Sequence, residues 1–292
     1  MISGIVLLDK PAGLSSNAAL QRVRRMLGAG KAGHVGSLDP LATGMLPICL
    51  GEATKIAGDI VCGRKLYRFC IALGIRTSTG DTEGAVVESA PVPAIDGQRL
   101  AAVLQAFHGR QSQIPPMYSA LKRAGQPLYK LARAGIEVER AAREIDIFGL
   151  RLLASAAATL ELEVLCSKGT YVRTLAEDLA RALGTCGHVS WLRRVHVEPF
   201  AQEPMETLES ITLACEAGNQ PRILAPDMPL QHLAAAHLDA VSAGRIRHGQ
   251  AVAAGFSGLI GRVRLYDAAG SFIGLGEADG SGGVLPKRLF VE

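Results

Sequence analysis

Apolar and polar positions fall into readable periods along the 292-residue chain. Residues 4–10, Gly-Ile-Val-Leu-Leu-Asp-Lys, form a short apolar run that predicts a buried strand, ended by Pro11 and Gly13. Ser15, Ser16 and Asn17 then offer N-cap oxygens. Leu20, Val23 and Leu27 follow at helical spacing, with Gly28 as the stop. From 65 to 74 the period changes to two, and Tyr67, Phe69, Ile71 and Leu73 share one face of a predicted strand. Gly80–Gly84 reads as a turn and Pro91 and Pro93 as loop; Leu100, Val103, Leu104 and Phe107 predict a helix closed at Gly109. Strand signals return at 144–153 and 159–166. Lys168-Gly169-Thr170 then turns into a helix with the face Val172, Leu175, Leu179 and Leu183, stopped by Gly184. Gly218, Pro221, Pro226 and Pro229 mark a boundary. Beyond it, stretches at 250–252, 259–266, 272–276 and 285–291, separated by glycine turns, predict a small β-barrel.

This alternation of strands and helices predicts an α+β fold. A mixed, largely antiparallel sheet with flanking helices is expected over residues 1–228, followed by a small β-barrel module over 229–292. Hydrophobic residues make up 48% of the chain and charged residues 20%, enough apolar material for a full core and too much for a mainly disordered chain. The apolar stretch Ile5–Leu8 is too soon broken by Asp9 and Lys10 to serve as a signal segment, and no run reaches the ~18–20 apolar residues of a membrane span. Cys49, Cys62, Cys70, Cys166, Cys186 and Cys215 contain no C-x-x-C pair, which argues against a zinc site and for reduced thiols in a cytoplasmic protein.

The net charge of +4 is too small, as a total, to argue for a nucleic-acid partner. Its distribution is uneven. Lys10, Arg22, Arg24, Arg25 and Lys31 precede the next acid, Asp39, without an opposing charge. Residues 108–143 carry seven basic residues against Glu137 and Glu139, and Pro115, Pro116, Gly125, Pro127 and Gly135 interrupt any long element there. That segment reads as a protruding basic insertion.

Gly28, Gly30 and Gly33 fit G-x-G-x-x-G, but a helix precedes them where a dinucleotide site needs a strand. Residues 31–44 are more informative. Glycines at 33, 36 and 44 permit close backbone approach, and Pro40 fixes the conformation after Asp39. One lysine (Lys31), one imidazole (His34), one carboxylate (Asp39) and one hydroxyl (Thr43) lie within this short loop, beside a basic helix.

The run GHVGSLDPLATG (33–44), between LDKPAGLSS (8–16) and LGEATK (50–55), resembles the TruB-type tRNA pseudouridine synthases. Lys65-Leu-Tyr67, Thr77-Ser-Thr-Gly-Asp81, Pro115–Lys122 with Tyr129 and Arg133, and Ser167-Lys-Gly-Thr-Tyr-Val-Arg173 follow in the family's order. Arg247-His-Gly-Gln250 and Leu285-Pro-Lys-Arg-Leu289 are similar to its C-terminal PUA module. The resemblance covers essentially the whole chain; Val35 stands where Thr is common.

The resemblance implies isomerisation of a uridine in the TΨC arm of tRNA, conventionally position 55, to pseudouridine. The base is flipped out, C1′–N1 is broken and C5 is reattached, with no cofactor and no metal. Asp39 is the implied essential carboxylate, as a nucleophile at C1′ or a base at C2′. Arg173 is its implied partner, keeping it ionised. Tyr67 is either a core aromatic or a catalytic residue whose ring stacks on the uracil and whose hydroxyl assists proton transfer at C5 or O2. His34 is the implied group that enters the vacated space. Lys10, Arg22, Arg24, Arg25 and Lys31 are expected along phosphates, as are Lys130 and Arg133 in a thumb at 108–143. Lys55 is a phosphate contact or a structural ion pair. Asp81 is a site-supporting carboxylate or a turn aspartate, and Thr43 a supporting hydroxyl. The C-terminal module is expected on the acceptor stem.

Two other readings share these motifs. A guide-RNA-dependent synthase is one, and such relatives carry extra terminal segments that these 292 residues lack. A non-catalytic RNA-binding or tRNA-folding protein is the other, against which Asp39 and Arg173 together argue. A monomer without an obligate protein partner or guide RNA is expected.

Overall fold

The structure is a computed structural model that describes residues 2–290, apart from the side chains of 254, 256 and 257. Its elements run β1 (Gly4–Lys10), α1 (Ser16–Met26), β2 (Ala32–His34), β3 (Thr43–Leu50), α2 (Ala57–Val61), β4 (Lys65–Leu73), β5 (Ile75–Thr77), β6 (Val86–Ser89), α3 (Gly97–Ala106) and β7 (Gly109–Gln113). They continue through β8 (Lys122–Arg123), β9 (Gln126–Pro127), α4 (Leu128–Arg133), β10 (Arg143–Ala156), β11 (Thr159–Cys166), α5 (Val172–Ala182), β12 (Gly187–Val197) and α6 (Leu208–Glu216). The chain ends with β13 (Ala234–His237), α7 (Ala240–Arg247), β14 (Val252–Tyr266) and β15 (Phe272–Leu289).

The main sheet has the order β1-β3-β12-β4-β11-β10-β7, with β2 pairing on β3. All its ladders are antiparallel except β3–β12. The first strand forms where the apolar run predicts it, and six of its seven residues are buried. The first helix starts at the Ser15 cap, whose side chain accepts from Ala18 N, and buries Ala19, Leu20 and Val23. Its buried face shares one core with α5, whose face Val172, Leu175, Leu179 and Leu183 is buried, and with Phe69, Ile71, Leu162 and Val164 of the sheet. A second cluster, including Ile5, Leu7, Met45 and Cys49, is completed by Leu230 and by Leu275 of β15. The C-terminal strands therefore share core with the main sheet.

Three elements differ from the sequence expectation. Gly109–Gln113 pairs with Arg143–Ile147 as an edge strand, so the basic excursion proper is 114–142. Its residues Arg-Gln-Ser-Gln are polar because an edge strand faces water, and no period-two pattern marks it. The central strand β12 carries register shifts at Val189/Trp191 and Arg194/His196 that break the alternation a reader would seek. The C-terminal stretches fall on two long bulged strands, β14 and β15, except that only Val252 of the 250–252 stretch is strand; with β13 they make an open three-stranded sheet among the described residues. Val291, the last residue of the expected final strand, lies outside them. Gly28 ends a helix with φ +59°, as expected for a stop and unlike a dinucleotide loop.

The parallel contact of β3 with β12 requires Gly44. Its φ is +100°, and a Cβ there would lie 2.1 Å from the Arg194 carbonyl oxygen. Gly44→Ala is expected to lower unfolding free energy by about 3 kcal/mol, read as a lower urea midpoint.

Candidate active site

The loop between β2 and β3 carries Asp39, and each of its neighbours is clamped. Before it, the Ser16 hydroxyl donates to Leu38 O at 2.9 Å and accepts from Leu38 N at 2.7 Å. After it, Pro40 O accepts from Gly13 N at 2.8 Å and from Lys10 Nζ at 3.3 Å. Lys10 is fully buried, and its ammonium also donates to Pro11 O at 2.8 Å and Leu14 O at 2.7 Å. All three protons are thus committed to carbonyls, so Lys10 holds the loop and is not free for a phosphate. This corrects the RNA-contact expectation; the cause is its place at the end of a buried strand.

Arg173 enters from the first turn of α5. Its Nε lies 2.9 Å from Asp39 Oδ2 and 3.8 Å from Asp81 Oδ2. Nη1 donates to Thr79 O and Nη2 to Tyr118 O, both at 2.7 Å. One side chain therefore joins the Asp39 loop, the 78–84 turn and the 114–142 excursion. Its exposure is 4%, and that of Asp81 is 3%, while 38% of the Asp39 side chain remains open. Asp81 accepts from the Thr79 hydroxyl and from Glu83 N, which fixes the turn around it. The root of the excursion is tied to the same helix start: Gln113 donates to Tyr171 O at 3.1 Å and accepts from Tyr171 N at 2.8 Å.

Tyr67 lies on β4, half-buried against the main core. Arg194 of β12 stands opposite it in register. Sequence reasoning passed over Arg194, although it shares the inward alternation with Leu192; a charged residue on an apolar face is the signal that was available. Ser16 and Tyr118 were also missed, because a hydroxyl clamp and a carbonyl acceptor leave no sequence pattern.

His34 is half-buried at the end of β2, with a buried Nδ1 that has no hydrogen-bond partner. Burial and the Arg194 charge push its pKa down, so the ring is neutral near pH 7. Thr43 Oγ1 turns towards Leu192 O and Arg193, each at 3.5 Å, beside the Asp9–Arg193 ion pair. Lys55 pairs with Glu52 at 2.5 Å and donates to Leu289 O at 2.7 Å, so it ties the C-terminal module to the main sheet. Of its two sequence readings the structure presents the structural one. Arg24 caps the exit of α1 through Ala29 O and Gly30 O. Arg22, Arg25 and Lys31 are exposed, as are Lys130 and Arg133 at the last turn of α4, where Arg133 lies over the Tyr129 ring at 5.7 Å.

Burial pushes the Asp39 carboxyl above the ordinary carboxylate range; Arg173 pulls it back and Asp81 repels it. The pairing expected from sequence is present, yet burial outweighs it. Asp39 is thus a carboxylate with a high proton affinity, opening on one side to solvent. Among the described residues no cluster of His, Cys, Asp or Glu is arranged to hold a metal.

The chain matches the TruB family pseudouridylate synthase N-terminal domain over residues 24–172. It matches the tRNA pseudouridylate synthase B C-terminal domain over 173–233 and the pseudouridine synthase II TruB C-terminal region over 234–290. It is 50% identical over 290 residues to the tRNA pseudouridine synthase B of Aromatoleum aromaticum, covering 99% of this chain and 93% of that one. It is also 50% identical over 292 residues to that of Stutzerimonas stutzeri, covering 99% and 95%. The fold is like that of a Cbf5-Nop10-Gar1 complex chain, with a TM-score of 0.72 and 22% identity over 99% of this chain and 85% of that one.

Carboxyl-13C NMR titration checks the electrostatics, with Asp39→Asn to assign the signal. The Asp39 midpoint is expected above the ordinary 3.8. It should rise further in Arg173→Gln, which removes the main attraction to the charged form.

Proposed function

Because the chain belongs to the TruB family of pseudouridylate synthases, and is therefore an isomerase, we propose that it converts the TΨC-arm uridine of tRNA, position 55, to pseudouridine by acting at Asp39. The observation that supports this most is the buried Arg173 guanidinium held 2.9 Å from a carboxylate that stays partly open. Such a group is poised for a substrate that must approach closely, and a ribose carbon is such a target.

The reaction breaks C1′–N1, turns the uracil and forms C1′–C5; the C5 proton leaves and N1 gains one. Asp39 either attacks C1′ or removes the C2′ proton. Both routes need the ionised form, so Arg173 serves the chemistry by opposing the effect of burial on the charge. Tyr67 stacks on the uracil; base–aromatic stacking is worth roughly 1–3 kcal/mol. The uridine starts inside a folded arm, and extruding it costs a few kcal/mol. The neutral His34 ring, with its unpartnered Nδ1, enters the vacated space. A neutral ring suits that place, since it is more readily desolvated than an imidazolium.

Arg22, Arg25, Lys31, Lys130 and Arg133 are exposed and carry the phosphates. The excursion at 114–142 closes over the arm as a thumb, and its Tyr118 carbonyl on Arg173 couples its position to the site. Residues 1–228 are the catalytic unit in this reading, and 229–292 the PUA-like module that contacts the acceptor stem. The protein works in the cytoplasm, alone and without a guide RNA, in line with relatives named as tRNA pseudouridine synthases that it matches almost end to end.

Purified protein and unmodified tRNA transcript, with no additive, are expected to yield pseudouridine at that uridine, mapped by carbodiimide primer extension. Asp39→Asn should slow the reaction by roughly 10³-fold or more; a variant as fast as wild type removes Asp39 from the mechanism. His34→Ala is expected to slow modification of a base-paired arm more than that of an unpaired oligonucleotide, and equal losses on both rule out its place in flipping.

A further inference from the structure

Arg194 is the second buried arginine of the centre, and the mechanism above leaves it without a task. Its exposure is 1%, and unlike Arg173 it has no ion-pair partner among the described residues. A buried cation is expensive unless paired, so its retention calls for an explanation in what it holds. Its Nε donates to Met45 O at 2.7 Å and its Nη2 to Gly36 O at 2.9 Å. Gly36 belongs to the loop that carries Asp39. It has φ +70°, which favours glycine, and a Cβ there would lie 3.1 Å from Nη1, a tight contact with the guanidinium that glycine avoids. On the other side Arg194 stands opposite Tyr67 in the β12–β4 register, an arrangement that puts both side chains on the same face.

The charge is felt across the pocket wall. It lowers the proton affinity of His34, Lys10, Lys65 and Tyr67. At Tyr67, burial and the charges of Cys166 and Asp39 act the other way, and burial is the largest cause.

We propose that Arg194 is a positioning residue for the isomerisation: one guanidinium locks the loop bearing Asp39 and His34 to β3 and to its own strand β12, the neighbour of the strand bearing Tyr67, and sets an un-neutralised positive charge against the Tyr67 hydroxyl. This rests on the reading that Tyr67 meets the uracil. When C1′–N1 breaks, the bonding electron pair leaves with the base, and the uracil carries negative charge until C5 bonds to C1′; C5 then loses its proton and N1 gains one. A cation behind the hydroxyl polarises the O–H and makes it a better donor to that charge. Arginine is suited to the task because its planar fork fixes two carbonyls and still presents an edge to a third group, which a lysine ammonium on a flexible stem does less well.

The test uses single-turnover pseudouridine formation with excess enzyme on a TΨC stem-loop. Wild type, Arg194→Lys, Tyr67→Phe and the double variant are compared, with RNA affinity and melting measured for each. Arg194→Lys is expected to lower the saturated rate at least about tenfold while the RNA Kd stays within about threefold. In the Tyr67→Phe background the same change should cost less than about threefold, because the two act as one unit. Additive losses, a loss confined to RNA affinity, or no loss at all overturns the proposal. If Arg194→Lys does not fold, the Tm of Tyr67→Phe decides. A drop of several degrees is expected when the guanidinium loses its polar neighbour, and an unchanged Tm overturns the proposal. Wild-type protein that leaves the uridine unmodified overturns the function itself. A Tyr67→Phe variant as fast as wild type overturns the uracil contact and this inference with it. Slow Tyr67→Phe beside wild-type-like Arg194→Lys overturns this inference alone.

Discussion

Arg173 enters the centre at the first turn of α5, where the free amides of the helix make a cation unwelcome. It stays there because Asp39 and Asp81 flank it and because Thr79 and Tyr118 offer their carbonyls. Those four partners come from three separate stretches of chain, so the one guanidinium sets the distances between them. Removing a partner of a buried pair leaves an uncompensated charge, typically at a cost of 3–5 kcal/mol. The site and the local fold are in that sense one construction: the group that keeps the carboxylate oriented also holds the turn and the root of the excursion.

The same economy runs through the other cations. A count of basic residues before Asp39 suggests a continuous phosphate-binding surface. The structure divides them by burial. Lys10 is spent on three carbonyls and Arg24 on two, while Arg22, Arg25 and Lys31 stay in solvent. Further along, Lys55 donates to Leu289 O and Arg288 donates to Lys55 O, joining the C-terminal strands to the main domain, with Arg262–Asp59 at 2.7 Å beside them. Cations that look alike in one dimension therefore serve as struts or as a surface according to whether their strand end or helix face points inward.

Much of the fold was legible because periodicity records which face is buried. The apolar run of β1, the helical spacings of α1 and α5, and the alternation in β4 and β11 all appear where the pattern puts them. Asp39, Tyr67 and Arg173 were legible as candidates because they lie in dense motifs. The strands β7 and β12 were not. The first is a polar edge, and the second carries two bulges and an inward arginine, so neither shows an uninterrupted period of two. Arg194 escaped for the same reason, as did Ser16 and Tyr118, whose contributions are a hydroxyl and a carbonyl that any residue pattern can supply.

By itself the sequence determined the class of fold, the approximate extent of the elements and the presence of a carboxylate, an imidazole and an arginine in glycine-rich loops. These follow from local chemistry: side-chain period, capping oxygens, and glycines where φ is positive. Only the tertiary structure decided that Asp39 faces Arg173, 134 positions further along the chain, that burial outweighs that pairing at the carboxyl, and that a second arginine stands behind Tyr67. Proximity, desolvation and field depend on which strands become neighbours, and the parallel meeting of β3 with β12 is set by the whole sheet rather than by any segment of it.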